Sequence, residues 1–287
     1  MNTPDVTVVR ACLRGGAGGS PTAVVLEDGT GAPTPDDERR LVPAVHGTSH
    51  AVYVRRTGDV SELRFFTAQG ELPACGHGTV AALAVLAARH GATGPYRAVL
   101  RAGGRVFSGR AERSGPLVSA AFDPGPVDLR EPGAQERALV LAALGLPAAS
   151  AAAGVRIAGV GRERVLVPVA TRAALAALRP DLDRLRAACD RFGLLGAYVH
   201  SRPSPQGVLA ARMFAPSIGV AEDIANANST ACLAAHLAGR GVRRIRVDMG
   251  DALGSPATVT ATAGADLQVE VGGTARVLTE RAGRRLR

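Results

Sequence analysis

Two stretches of this chain, half a chain apart, read alike, and that likeness limits what the chain can become. Arg64-Phe65-Phe66-Thr67 has the composition of a strand; a glycine-bearing loop follows, then a helix-like run from Gly78 to His90 that ends at Gly91. Arg212-Met213-Phe214-Ala215 is followed in the same way by a loop and a run from Asn228 to Arg240 that ends at Gly241. In both runs alanine and leucine recur at three- and four-residue steps, and glycine supplies a helix stop. Val80, Ala81, Ala82, Leu83, Val85 and Leu86 in the first, and Ala231, Cys232, Leu233, Ala235 and Leu237 in the second, leave neither helix a polar face. A helix apolar all round has to be enclosed on every side, here by a curved sheet. A duplicated domain is the expectation.

The surroundings supply the strands. Thr7–Val9, Thr22–Leu26, Ala51–Val54, Leu63–Phe66, Ala98–Arg101 and Leu117–Phe122 read as strands in the first half. Arg164–Pro168, Gly196–His200, Val208–Phe214, Arg244–Val247, Thr258–Ala261 and Leu267–Val271 do so in the second. Three more helices are expected. One runs from Pro35 to Val42, with Thr34 as its cap and proline in its first turn; the others are Gln135–Leu144 and Arg172–Phe192, the last with a break at Pro180. The fold class is α+β, two pseudo-symmetric halves, each a barrel-like sheet around a central helix. The Pro- and Gly-bearing stretch Pro124–Pro132 separates domains at 1–125 and 126–287, with the last strand free to return to the first.

Composition narrows the chemistry. The 34 basic residues among the 287 are all arginine. Without lysine there is no Schiff base, no pyridoxal-phosphate lysine and no Walker-type phosphate loop. The net charge of +9 invites a nucleic-acid reading. However, Arg281, Arg284, Arg285 and Arg287 crowd the end of the chain, and Arg243, Arg244 and Arg246 lie in a strand-like run. Neither cluster sits in a binding module, and aromatics are only 3%, so no nucleic-acid partner is expected. Cys12, Cys75, Cys189 and Cys232 show no CxxC spacing and no secretory leader is read, which points to reduced thiols in a cytoplasmic protein. No apolar stretch reaches the ~18 residues of a membrane span, so no membrane partner is expected.

Both central helices open at loops of small and polar residues: Ala74-Cys75-Gly76-His77-Gly78-Thr79, and Asp223 through Asn226, Asn228, Ser229 and Thr230. Helix starts carry free N–H groups and partial positive charge, so they hold carboxylates. If the halves face each other, the two starts form one site. Cys75, Gly76, Gly78, Thr79, Asn228 and Ser229 are then substrate-binding candidates. His77 is a candidate proton carrier or donor, and the alternative is a satisfied loop histidine. Asp223 either orients substrate or only complements the helix dipole. Cys75 is a candidate base, but a two-thiol racemase needs a second cysteine at the other helix start, and Cys232 lies inside that helix. His46 and His50 flank Gly47-Thr48-Ser49 just before a strand, as cleft-facing groups or exposed loop histidines. A metal site from Cys75, His77 and His50 is conceivable, but no ligand pair has zinc-finger or HExxH spacing, and neither metal nor cofactor is expected.

In this order and spacing the motifs resemble the PhzF-like isomerases of phenazine biosynthesis, within the diaminopimelate epimerase fold. Gly19-Ser20-Pro21-Thr22-Ala23-Val24-Val25 is similar to the family's G-N-P-x-A-V-V, and Pro73 to Thr79 to its P-x-C-G-H-A-T loop. Arg212 to Asn228, with Phe214-Ala215-Pro216, Gly219 and Glu222-Asp223, resembles R-x-F-A-P-x-x-G-x-x-E-D-P-A-T-G-S. The resemblance implies two barrel-like halves, a homodimer, and cofactor-independent proton movement on a small carboxylate. The family's acid/base glutamate lies in N-L-S-E-T-T-F-V; the matching stretch here is Gly47 to Val54, with His50 in the glutamate's place. The family's Gly-Ser at the second helix start is replaced by Ala227-Asn228. The expected function is an isomerase acting on an amino or unsaturated carboxylic acid in specialised metabolism, with His50, His77 and Asp223 as its catalytic groups. The rivals are a hydrolase of a C–C or amide bond on the same scaffold, and a non-catalytic ligand-binding relative.

Overall fold

The computed structural model describes residues 6–27, 34–91, 94–147, 154–266 and 268–278. The chain divides into two units. One takes the described residues of 1–16, 20–122 and 273–287; the other takes 17–19 and 123–272.

In the first unit, β1 (Val6–Ala11), β2 (Ser20–Glu27), β3 (His50–Thr57), β4 (Val60–Thr67), β5 (Gly70–Leu72), β6 (Tyr96–Ala102), β7 (Arg105–Ser114) and β8 (Leu117–Phe122) are joined largely by tight turns. The pairings β1–β2, β3–β4, β6–β7 and β7–β8 are antiparallel; β2–β3 and β4–β6 are parallel. The parallel step from β4 to β6 is the crossover that contains the Gly76–His90 helix. Every residue from Gly76 to Ala87 is buried, which is the enclosure its apolar surface requires. Packing is close. A Cβ on Gly109 of β7 would sit 2.9 Å from Leu83 Cδ2, so the absent side chain makes the seat for Leu83.

The second unit repeats the plan with β9 (Asp128–Arg130), β10 (Arg156–Val160), β11 (Arg162–Val169), β12 (Ala197–Ser201), β13 (Val208–Ala215), β14 (Val220–Asp223), β15 (Arg244–Met249), β16 (Ala257–Ala263) and the start of β17 (Val269–Val277). The pairings β9–β10 and β10–β11 are antiparallel, β11–β12 parallel, β12–β13 antiparallel, β13–β15 parallel, and β15–β16 and β16–β17 antiparallel. The Ala227–Ala238 helix fills the β13-to-β15 crossover and is buried along nearly its whole length. Beyond Gly272, β17 runs antiparallel to β1, and it also pairs with β8. The order β17-β1-β2-β3-β4-β6-β7-β8 therefore closes on itself. Read from β17, it gives the same succession of parallel and antiparallel steps as β9 to β17. The short strands β5 and β14 occupy equivalent places, each antiparallel to the strand before the central helix. The duplication holds strand by strand.

Several expected elements differ in detail. The single helix Pro35–Val42 is two short helices, Asp36–Arg39 and Val42–Val45, with Pro35 rather than Thr34 at the first N-cap. In a continuous helix the Pro43 ring would meet the carbonyl of Arg39, so Pro43 instead starts the second helix. Arg172–Phe192 is two helices, Arg172–Ala177 and Leu182–Phe192, the second capped by Asp181, whose carboxylate accepts the Arg184 N–H at 3.0 Å. Together with Ala134–Ala143, Leu182–Phe192 packs over the other face of the sheet, where Val140, Leu144, Leu185 and Cys189 meet Val165, Val167, Val199 and Phe214. The second central helix ends at Ala238, before Gly241. The terminal arginines and Leu267 lie outside the described residues.

Candidate functional site

The first unit brings three of the expected residues together. The Val42–Val45 helix returns the chain to the sheet through Thr48, whose N–H donates to the Pro43 carbonyl at 2.8 Å and whose hydroxyl donates to the His50 carbonyl at 3.0 Å. His50 thereby becomes the first residue of β3, opposite Thr22 of β2, and is 4% exposed. The reading of His50 as an exposed loop histidine does not hold; His46 is the exposed one. Cys75, at the N-cap of the first central helix, is extended (φ −144°, ψ 112°), so its thiol lies beside the first turn. Its Sγ is 3.4 Å from His77 Nε2, and the His77 ring meets the His50 ring edge-on, with centroids 4.4 Å apart and planes at 82°. One ligand-type atom from each of His50, Cys75 and His77 lies within 4.8 Å of the others, and all three residues are buried.

Gly78 makes this possible. A Cβ there would lie 3.0 Å from Phe65 Cδ1 and 3.1 Å from Cys75 Sγ, so a larger residue would push the thiol out of its place. Ser49 Oγ, 2.9 Å from His50 Nδ1, holds the other side of that ring. Burial, reinforced by the neighbouring His77, keeps His50 well below the ordinary histidine range, so it rests as a neutral imidazole. A neutral ring can accept a proton, and the helix start nearby favours an anion.

The second unit builds the equivalent helix start differently. Asn226 is the N-cap, accepting the Ser229 N–H at 2.9 Å, while its amide donates to Asp223 Oδ2 at 3.0 Å. Asp223 is 8% exposed and also accepts the Ala225 N–H at 3.4 Å, so part of its role is to hold this turn. Thr230 donates from its hydroxyl to the Asn226 carbonyl at 2.9 Å, matching the 2.9 Å bond from Thr79 to the Cys75 carbonyl in the first unit. Ser229 is fully buried, its hydroxyl 3.6 Å from Met213 Sδ; Asn228 is half-buried. Tyr198 closes the back of the turn through a 2.8 Å hydrogen bond between its hydroxyl and that of Thr230. Ahead of it the half-buried ion pair Arg212–Glu222, at 2.7 Å, ties β13 to β14. Cys232 is inside the helix, 2.9 Å from the Arg164 guanidinium and fully buried, so it is not a second base at the helix start.

Sequence reading named His50, Cys75 and His77 but not their contact, which arises because β3 and the helix start converge. Asn226 and Ser49 stood in the quoted loops without a role. For Asn226 the signal was present: an asparagine three residues before a serine, just ahead of an apolar run.

Comparison with known proteins bears on the family and the fold. A family model described as phenazine biosynthesis-like protein (PhzC-PhzF) matches residues 14–281. An uncharacterized isomerase of Deinococcus radiodurans is 29% identical, covering 89% of this chain and 83% of the relative. An uncharacterized isomerase of Escherichia coli K12 is 26% identical, covering 84% and 86%. Among solved structures, one described as a predicted epimerase from Pseudomonas aeruginosa superposes with a TM-score of 0.83 over 96% of this chain and 98% of that one, at 22% identity. A PhzF-family structure from Bacillus anthracis does so at 0.78, over 97% and 98%, at 18% identity.

Proposed function

The chain belongs to the phenazine biosynthesis-like (PhzC-PhzF) family, and from that premise we propose that it is an isomerase that moves a proton within a small amino or unsaturated carboxylic acid of specialised metabolism. The observation that carries this reading is the buried meeting of His50 with His77 at a helix start. The helix start at Gly76 and Gly78 receives the carboxylate on its backbone N–H groups. His50, in the place of the family's glutamate, takes a proton from the adjacent activated carbon; the electron pair left behind spreads into the conjugated acid. The same imidazole returns the proton at another carbon, so product and substrate have equal mass. His77 orients the acid. The second unit's helix start carries its own candidates, Asn228 for a carboxylate contact and Asp223 as an orienting group, while the Ser229 N–H and hydroxyl are taken up within the turn.

The test is exchange in deuterated water. Candidate unsaturated and amino acids are incubated with the protein and recovered for mass spectrometry. The expected product carries deuterium and is otherwise unchanged in mass, and His50→Ala lowers the exchange rate by roughly 10²- to 10⁴-fold, the usual share of an acid/base group. Exchange undiminished in His50→Ala overturns the assignment. A product heavier by one water indicates a hydrolase, and binding with neither exchange nor conversion indicates a non-catalytic relative.

A further inference from the structure

We infer that His50, Cys75 and His77 form a binding site for one thiophilic divalent cation of the zinc class. The inference rests on the donor set and its geometry, not on the isomerase reading. The residues offer two imidazole nitrogens and one thiol sulfur, the borderline-soft ligands such an ion selects, and all three are buried. The sequence hides the set: Cys75 and His77 are only two apart, and His50 comes from a separate strand, so no zinc-type spacing exists to be read.

The distances suit a tetrahedral ion. Zn–S near 2.3 Å and Zn–N near 2.1 Å place sulfur and nitrogen about 3.6 Å apart on a tetrahedral edge. Cys75 Sγ and His77 Nε2 stand at 3.4 Å. The two separations to His50 are within 4.8 Å, so a shift of that ring by about 1 Å brings both toward tetrahedral edges. Ser49 Oγ occupies Nδ1 of His50 and leaves Nε2 as the ligand atom. Such an outer partner fixes ring orientation at a metal site. Gly78 allows the thiol its position, as the 3.1 Å approach of its missing Cβ to Sγ shows. Three protein ligands leave the fourth position of the ion for water or a ligand oxygen.

The proposal is tested on the full-length chain, reduced and stripped with chelator, then titrated with cobalt(II) and afterwards zinc. Thiolate-to-cobalt charge-transfer absorption is expected to saturate at one ion per chain and to be displaced by zinc, and zinc is expected to raise the Tm. Cys75→Ser removes the absorption, His50→Gln and His77→Gln weaken zinc binding at least tenfold, and Cys189→Ser leaves both readouts in place. A wild-type titration without saturable one-to-one absorption overturns the site, whatever the variants do. So does absorption that survives Cys75→Ser, or zinc affinity unmoved by His50→Gln in a variant with native circular dichroism. Proton exchange is read on the metal-free chain, so loss of either result leaves the other standing; with Nε2 on the cation and Nδ1 at Ser49, His50 has no nitrogen left for a proton, and bound zinc is expected to block exchange.

Discussion

The residues that set conditions on this protein are buried imidazoles. His200, on β12, is 4% exposed and held at about 4, chiefly by burial, with Arg240 acting in the same direction and the Ser201 carbonyl opposing. His236, on the second central helix, is depressed to about 4 as well, by burial first and then by Arg240, Arg156 and His200. A base with a depressed folded-state pKa leaves the unfolded chain binding more protons between about pH 6.5 and 4. Stability is therefore full above pH 6.5 and is lost as the pH falls through that window, by up to roughly 3 kcal/mol for His200 alone. Urea denaturation at pH 7.5 and pH 5 measures the difference, and His200→Asn flattens it; equal stability at both values contradicts the assignment. For the candidate site, residue identity was legible and juxtaposition was not. Loop motifs displayed His50, Cys75 and His77, but only the register of β3 on β2 brings the first to the other two.

At the scale of elements, the central helices depend on close seating. Leu83, fully buried, lies in the space that Gly109 leaves open. Leu83→Ala is expected to cost about 2–5 kcal/mol in urea denaturation, the range of large-to-small changes at well-packed sites. Gly109→Ala is expected to destabilise through overcrowding, by about 1–3 kcal/mol, and Leu83→Ala combined with Gly109→Ala should recover part of that loss. Strict additivity of the two changes refutes the seating. The apolar helices and most strands with buried faces, though not β10, could be read because burial writes itself into residue type. β7 could not: most of its residues are exposed, so Arg105–Ser114 has no apolar alternation and is a strand because β6 and β8 pair with it on either side. β9, three exposed residues, is defined in the same way by β10. The split of the Pro35–Val42 helix was available in Pro43, whose ring is incompatible with continuing the preceding turn.

For the whole molecule, the decisive element is β17. Its first residues pair with β16 in the second unit, and after Gly272 it becomes a strand of the first unit, beside β1 and paired with β8. Ending the chain at Gly272 would turn β1 and β8 into unpaired edges, which are sites of aggregation. Such a chain is expected to lose cooperative unfolding of the first unit and to scatter light on standing; an unchanged unfolding midpoint would refute this. The same strand also orders events at the ribosome. Residues 6–122 emerge before the second unit, yet their sheet cannot close until the strand beyond Gly272 arrives. At translation speeds of 5–20 residues per second that wait lasts roughly 8 to 30 s. The first half of the polypeptide is thus made first and finished last, and during the interval its two unclosed borders are exposed to chaperones.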